Sequence, residues 1–451
     1  MDTDESVMGY KGISLYPTPC QKRLLTRTFG CVRFVYNQYI TYKDWEYRKG
    51  YSKSKDTRRT HSELRSLLTV HNKKHQYPWL KEVSSVALQS ACDDAKNNYA
   101  VMVANRSDGK KASLPRRRKY GNQSFRLSGH SNVRIRQTDK KRHRGHIHIP
   151  YVGWVRYHAG KDITQASSVT VMMDKYSRYT ASVNLPVEEK HTLPGAAKAC
   201  GIDVGLIDLI VMGNTNGDRV SLTAPQFYRK QERKIAKKSR AASRKVKGSS
   251  GRRKANKSLA KAHRKVKNQR HDLLHKCSTF IADNNHAVIM ETLDVAGMAK
   301  NTRLSKSIYD ASWSTLVEML QYKTTQREGS TFTQINQYIP TTQVCSVCGY
   351  RGGKKDLSIR TWECEHCHTT LDRDANAVIN IIDAGGHSES LNAGGASVRR
   401  LLSQPLDAVK SEYFLKDTTQ VIGDNLSPLL RWYRVEKPLP KQGGENVTRS
   451  Q

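Results

Sequence analysis

Apolar positions recur with two different periods along this chain, and the switches between them divide it into segments. Residues 10–18, YKGISLYPT, carry a strand pattern that ends near Pro17. From Gln21 to about Tyr99 the period becomes helical. Leu24, Leu25, Phe29, Val32, Val35 and Tyr36 recur at i, i+3, i+4 and i+7, and two further helices, SELRSLLTVH and SSVALQSACDDAKNNYAVMV, flank Pro78. From Ser113 to Leu185 the pattern is one of short alternating runs: RIRQ, HIHIPYVGWVRYH, SVTVMMD and RYTASVNL read as strands separated by turns. They predict a small β-barrel that the strand near residue 12 joins, with the helical stretch as an insert. Residues 199–223 read as strand, turn, strand, turn, strand, and HAVIM, ending at Glu291, reads as a buried strand. An amphipathic helix is predicted over 311–324, a strand over TFTQINQYIPTTQVC, and a last helix over DANAVINII. The polar stretch from about residue 386 to Gln451 has little periodicity and is expected to be weakly ordered.

Between these segments lies the most basic part of the chain. Residues 226–275 hold two Lys/Arg-rich runs broken by Gly248-Ser-Ser-Gly251, with Leu259, Val266 and Leu273 spaced by seven. That seam predicts a helical hairpin with basic flanks rather than a free tail. The whole chain of 451 residues carries a formal charge of +37, with 77 Lys and Arg against 40 Asp and Glu. Such a field calls for a polyanion, above all nucleic acid. Basic and aromatic residues also interleave at Arg33, Tyr36, Tyr39, Tyr42, Lys43, Trp45, Tyr47 and Arg48, a mixture that suits either base stacking or a helical core with a solvated face. The tract PRRRKYG at 115–121 is expected to be a phosphate-contacting loop. No apolar run reaches the length of a membrane span and the start, MDTDESVMGY, is acidic and polar, so neither a membrane partner nor a signal peptide is expected.

Nine cysteines are present, and four of them form two Cys-x-x-Cys pairs, Cys345/Cys348 and Cys364/Cys367, fifteen residues apart. Two such pairs across a short hairpin supply the four thiolates that one structural zinc ion requires. The other five are scattered and odd in number, the usage of a reducing compartment.

Three carboxylates sit where α/β folds place chemistry: Asp203 and Glu291 at strand ends, and Asp374 at a helix start. Taken singly, each also fits a bland role, such as a turn-stabilising Asp between glycines. Together, beside a zinc knuckle and a basic surface, they suit two magnesium ions ~4 Å apart that cleave a phosphodiester. Asp374 lies four and seven residues before Val378 and Ile381, on the stripe that must face the sheet, whereas Asp372 precedes the helix as a cap. His146 and His148 share one face of a predicted strand, which fits a solvated or RNA-facing pair better than a metal site.

The motifs RTFGCVRFVYNQYI, GIDVGL, RKVKNQRHDLLHK, IMETLDVAGM and TTQVCSVCG…RTWECEHCHTTLDRDANAVINI resemble the TnpB family, the transposon-encoded RNA-guided nucleases similar to compact type V CRISPR effectors. The resemblance runs from about residue 10 to residue 384. It implies an α+β multidomain protein: an RNase H-like (RuvC) α/β nuclease with a zinc-ribbon insert, and a wedge β-barrel carrying a helical recognition insert. On this chain the wedge barrel falls on 1–20 and 113–195, the helical insert on 21–112, and the nuclease on 196–344 with its basic hairpin at 226–275. The zinc finger falls on 345–367, the nuclease end on 368–385 and a tail on 386–451. The resemblance also implies Asp203, Glu291 and Asp374 as catalytic ligands of two magnesium ions, one zinc ion, one guide RNA per protein and a double-stranded DNA target with a short adjacent motif. The implied setting is a prokaryotic cytoplasm, near the nucleoid. A nuclease-inactive guided repressor would lack the three acids, and a strand-joining transposase would want a different nucleophile set.

Overall fold

A computed structural model describes residues 7–49, 59–121, 123–129, 134–163, 166–186, 190–216, 218–356 and 358–387. The expected tail, with Trp432 and Tyr433, lies outside the described residues apart from its first positions. The chain divides into two compact units, Met1–Glu188 and Glu189–Gln451, a few residues before the 195/196 boundary expected from sequence.

In the first unit a strand, β1 (Val7–Tyr16), leads into a long helix, α1 (Pro19–Arg48). Thr18 starts that helix as a capping box: its hydroxyl accepts from the Gln21 N–H while the Gln21 side chain accepts from the Thr18 N–H, and Pro19 fills the first turn. The helical stripe read from sequence is the buried one, with Leu25, Phe29, Val32, Val35 and Tyr36 all nearly inaccessible. Next come α2 (His61–Ser66), a π-turn over Leu67–His71, α3 (Asn72–His75), a 3-10 turn over Pro78–Glu82 and α4 (Ser85–Ser107). Six further strands follow: β2 (Gln123–Ser128), β3 (Arg134–Asp139), β4 (Arg144–Ile149), β5 (Gly153–His158), β6 (Ser168–Met173) and β7 (Tyr179–Pro186). Burial alternates residue by residue along β4 to β7, so Ile147, Val155, Val171 and Val183 join Phe29 and Phe125 in one core.

The sheet order is β2-β6-β7-β1-β5-β4-β3. The first strand does join the later ones, pairing with β5 and β7. Among the described residues β2 and β3 do not pair, so the seven strands form a curled half-barrel rather than the closed barrel expected. Its β3 edge carries Arg134 and Arg136, the kind of charged edge that resists further pairing.

The second unit opens with β8 (Ala197–Asp203), β9 (Asp208–Asn214) and β10 (Arg219–Thr223). The basic hairpin follows as α5 (Phe227–Ser243) and α6 (Ser250–Asn284). Val266 and Leu273 are buried along it, as the seven-residue seam requires, and α6 continues past the expected end at His275 as far as Asn284. Next are β11 (Asn285–Glu291), α7 (Val295–Met298), α8 (Ser305–Ala311), α9 (Trp313–Thr325) and β12 (Thr331–Ile335). The helix expected over 311–324 begins two residues late, because Ser312 takes a left-handed conformation (φ 58°) that separates α8 from α9. Two short strands, β13 (Thr361–Glu363) and β14 (Thr370–Asp372), form a hairpin that runs directly into α10 (Arg373–Ala384).

The five-stranded sheet has the order β10-β9-β8-β11-β12, with β8, β11 and β12 parallel and β9 and β10 antiparallel to their neighbours. Strands β8 and β11 are nearly continuous apolar runs because helices cover both of their faces. On one face Cys200, Ile202, Val288 and Met290 pack with Leu274, Ile281, Trp313 and Leu316 of α6 and α9. On the other, Ala199, Ala287 and Ile289 pack with Val378, Ile381 and Ile382 of α10. Gly201 lets α10 come this close: a Cβ there would sit 2.5 Å from the Val378 carbonyl oxygen.

Candidate active site

Strand alternation decides where the first two acids point. Ala199 and Ala287 face α10, so Gly201 and Asp203 on β8, and Ile289 and Glu291 on β11, face it as well. The two strands are parallel and in register, with Ile202 opposite Met290, so Asp203 and Glu291 leave them one residue further on at the same carboxyl end. Helix α10 delivers Asp374 in its first turn. Val378 and Ile381, four and seven residues on, are buried against the sheet, as the helical spacing predicts. Asp372 caps the helix: its Oδ1 accepts from the Ala375 N–H at 2.9 Å.

Asp203 feels the charges of both other acids. Burial, then the charges of Glu291 and of Asp374, push Asp203 up to about 7. Burial also raises Asp374, while Arg360, whose Nη1 is 3.4 Å from Asp374 Oδ2, acts in the opposite direction. Glu291 accepts a hydrogen bond from the hydroxyl of Thr341. An all-oxygen donor set of this kind fits a hard divalent cation, which would offset the charge that raises Asp203.

The four cysteines converge more tightly. Among the described residues they are the one group whose ligand atoms all lie within 4.8 Å of one another. The sulfurs of Cys345 and Cys367 are 3.7 Å apart, as are those of Cys348 and Cys364. A regular tetrahedron with Zn–S bonds of ~2.3 Å has edges of about 3.8 Å, so the cluster matches a zinc site. Each pair is built by the same turn: Gly349 N–H donates to the Cys345 carbonyl and His368 N–H to that of Cys364, both at 2.9 Å. Gly349 and His368 both take positive φ, 75° and 52°. Trp362 and Leu371 pack with Cys345 and Cys364 in a small core of their own.

Several residues that sequence reasoning passed over complete this region. Thr341 reaches Glu291, Arg360 reaches Asp374, and Arg219 of β10 forms a buried ion pair with Asp372. Asn376 and Asn380 donate to the carbonyls of Thr341 and Val344. The advance signal for the asparagines was their i, i+4 spacing on a helix whose other face is apolar.

The first unit corrects two expectations about basic residues. Lys43 is not a free cation: it is 8% exposed and its Nζ lies 2.6 Å from Glu46 Oε2. Arg118 of the 115–121 loop is 3.0 Å from Asp94 and lies over the Tyr36 ring, so Arg116, Arg117 and Lys119 are the cations that loop has left for a partner. Tyr36 and Tyr39 are buried, which leaves Trp45 and Tyr47 as the exposed aromatics of that stretch. His146 and His148 lie on the face opposite the core, and the His148 ring meets Trp154 edge-on at 5.2 Å with Arg134 beside it. No helix among the described residues is long and apolar enough to cross a membrane.

Three family profiles match the chain: a probable transposase (OrfB_IS605) over residues 182–302, a Cas12f1-like TNB domain over 313–381 and a helix-turn-helix domain over 10–52. The described part of the last range is β1 and the single helix α1. A protein of Streptomyces pristinaespiralis named a putative RNA-guided DNA endonuclease is 31% identical over 404 residues, covering 88% of this chain and 94% of that protein. The Escherichia coli (strain K12) protein named putative RNA-guided DNA endonuclease InsQ is 25% identical over 413 residues, covering 88% and 97%. Among solved structures, the chain of a Cas12f1–sgRNA–target DNA complex shares the fold with a TM-score of 0.51 at 15% identity, over 80% of this chain and 82% of that one. With a relative above 30% identity matched over nearly its whole length, the chain belongs to the TnpB family.

Proposed function

We propose that this chain is an RNA-guided DNA endonuclease of the RNase H-like (RuvC) type, with Asp203, Glu291 and Asp374 as its catalytic acids. The observation that carries the reading is geometric: parallel, in-register β8 and β11 end in Asp203 and Glu291 at the same carboxyl end, on the face covered by α10, whose first turn carries Asp374. The strand order, with three parallel strands flanked by an antiparallel pair and helices on both faces, supports the RNase H-like assignment. The relatives' names support guided DNA cleavage.

Asp203, Glu291 and Asp374 would hold magnesium, which when bound supplies an activated water and charge neutralisation for phosphodiester hydrolysis. The protein's own part is to fix the ligands. The strand ends set Asp203 and Glu291 side by side, the first turn of α10 sets Asp374, and Thr341 and Arg360 restrain two of the three. The cysteine cluster would hold one zinc ion as a closed site, with no open position for substrate. The basic hairpin α5–α6 and the remaining cations of the 115–121 loop are the surfaces proposed to hold a guide RNA.

The test is the nucleic acid that copurifies with the protein. Sequencing should return one defined, structured RNA. Random cellular fragments, or none, would contradict guidance.

A further inference from the structure

We propose that Thr341 is the positioning residue for the Glu291 carboxylate, and that α10 holds Thr341 in place through Asn376 and Asn380. This rests on the proposed role of Glu291 and adds to it a residue outside the acidic set.

Thr341 is 3% exposed, and its hydroxyl donates to Glu291 Oε1. Its own turn uses its main chain, whose N–H donates to the Ile339 carbonyl, so the hydroxyl is free to reach a partner fifty positions away. The terminal torsion of a glutamate is broad, so the carboxylate of Glu291 has no preferred plane until something fixes it. A buried hydroxyl on one oxygen does so and leaves the other oxygen for a ligand.

The anchor of Thr341 is equally specific. Its carbonyl accepts from Asn380 Nδ2 at 2.7 Å and from Asn376 Nδ2 at 3.3 Å. The same two amides reach the Val344 carbonyl, at 2.8 and 2.7 Å. Ser346 N–H donates back to Asn376 Oδ1 at 2.8 Å. Asn376 and Asn380 are one helical turn apart on α10, the helix that carries Asp374. The segment from Thr341 to Ser346, which contains the first ligand-type cysteine, is thus tied to the helix of one acid and through Thr341 to another. The acids of β11 and α10 are spaced by this strap, and the cysteine cluster anchors its far end. Partners of this kind, which orient metal-binding side chains without touching the metal, commonly govern affinity by roughly 10–100-fold.

The test uses the full chain and three variants. Thr341→Val keeps shape and loses the hydroxyl; Thr341→Ser restores it; Asn380→Leu removes the anchor. Two quantities are read: the magnesium concentration for half-maximal thermal stabilisation of the protein, and that for half-maximal cleavage. Thr341→Val should raise both by about 10-fold or more, with zinc content unchanged. Thr341→Ser should return both to near the parent values, and Asn380→Leu should shift them in the same direction by a smaller factor. An unshifted magnesium requirement in Thr341→Val, or a Thr341→Ser as defective as the valine variant, overturns the positioning role. An unshifted Asn380→Leu overturns the anchor. Glu291→Gln separates the two ideas: if it keeps the parent's magnesium response, the reading of the acidic site fails, independently of Thr341.

Discussion

Asp372 is the residue whose loss should cost the most stability near the site without removing a proposed catalytic acid. Its Oδ1 caps α10 through the Ala375 N–H, and the same carboxylate pairs with Arg219. The two side chains are 6% and 3% exposed; Nη2 of Arg219 makes the pair, and its Nε and Nη1 have no hydrogen-bond partner among the described residues. Removing a cap of this kind costs about 1 kcal/mol. Stranding a buried charge costs about 3–5 kcal/mol, because the guanidinium stays desolvated with nothing to offset it. Asp372→Ala should therefore lose about 4–6 kcal/mol, a large part of the roughly 5–15 kcal/mol that holds a domain together. Asp372→Asn keeps a capping oxygen and loses only the charge, so its loss should be smaller by about 1 kcal/mol. The double variant Arg219→Met/Asp372→Asn removes both charges and should be more stable than Asp372→Asn alone. Urea unfolding followed by far-ultraviolet circular dichroism measures all three. A loss under about 1 kcal/mol in Asp372→Ala, or a double variant no more stable than Asp372→Asn, would refute the buried-pair argument.

Cys364→Ser should lower zinc content and solubility together, read by metal analysis of the purified protein; unchanged zinc would mean the ligand assignment is wrong. Burial, then Lys323 and His271, hold His275 down to about 4 from an ordinary 6.5. Its folded pKa is depressed, so the neutral ring's contribution is present above pH 6.5 and is lost as pH falls toward 4. For this partly exposed ring the loss should reach about 1 kcal/mol by about pH 5. His275→Leu should show correspondingly less acid destabilisation in urea melts at about pH 7.5 and 5; equal slopes would remove the effect. Binding of the copurifying RNA should fall steeply between about 50 and 200 mM salt (roughly the range over which multi-phosphate contacts lose 10³–10⁵ in affinity). A flat filter-binding titration would exclude a phosphate-dominated interface.

Much of the site was legible because it depends on local periodicity. Apolar runs that end in an acid set Asp203 and Glu291 at strand ends, and the 3.6-residue period put Asp374 in line with Val378 and Ile381 and left Asp372 at the cap. The cysteine spacing was sufficient by itself, since a Cys-x-x-Cys turn brings two sulfurs together locally. What was not legible is pairing at a distance. Arg219 meets Asp372 across 153 positions and Thr341 meets Glu291 across 50, and nothing in either local pattern marks them. Lys43 and Arg118 looked like free cations because composition cannot tell a solvated charge from one neutralised by Glu46 or Asp94. Closure of the first sheet was beyond reach for another reason. Whether strands close into a barrel depends on tilt and stagger, which alternation does not encode. The break at Ser312 likewise turns on one residue in a left-handed conformation within an otherwise helical pattern.

The proposed catalytic set is Asp203, Glu291 and Asp374 acting together. The most direct measurement is magnesium-dependent cleavage of a guide-matched plasmid by the parent protein and by Asp203→Ala, Glu291→Ala and Asp374→Ala, each loaded with the same RNA. All three variants should bind RNA and target near the parent level and fail to cut, because two metal ions need the whole ligand set. A variant that binds and still cuts at the parent rate would contradict the account, and a cutting Asp374→Ala beside a folded but inactive Asp372→Asn would exchange the roles of the two aspartates.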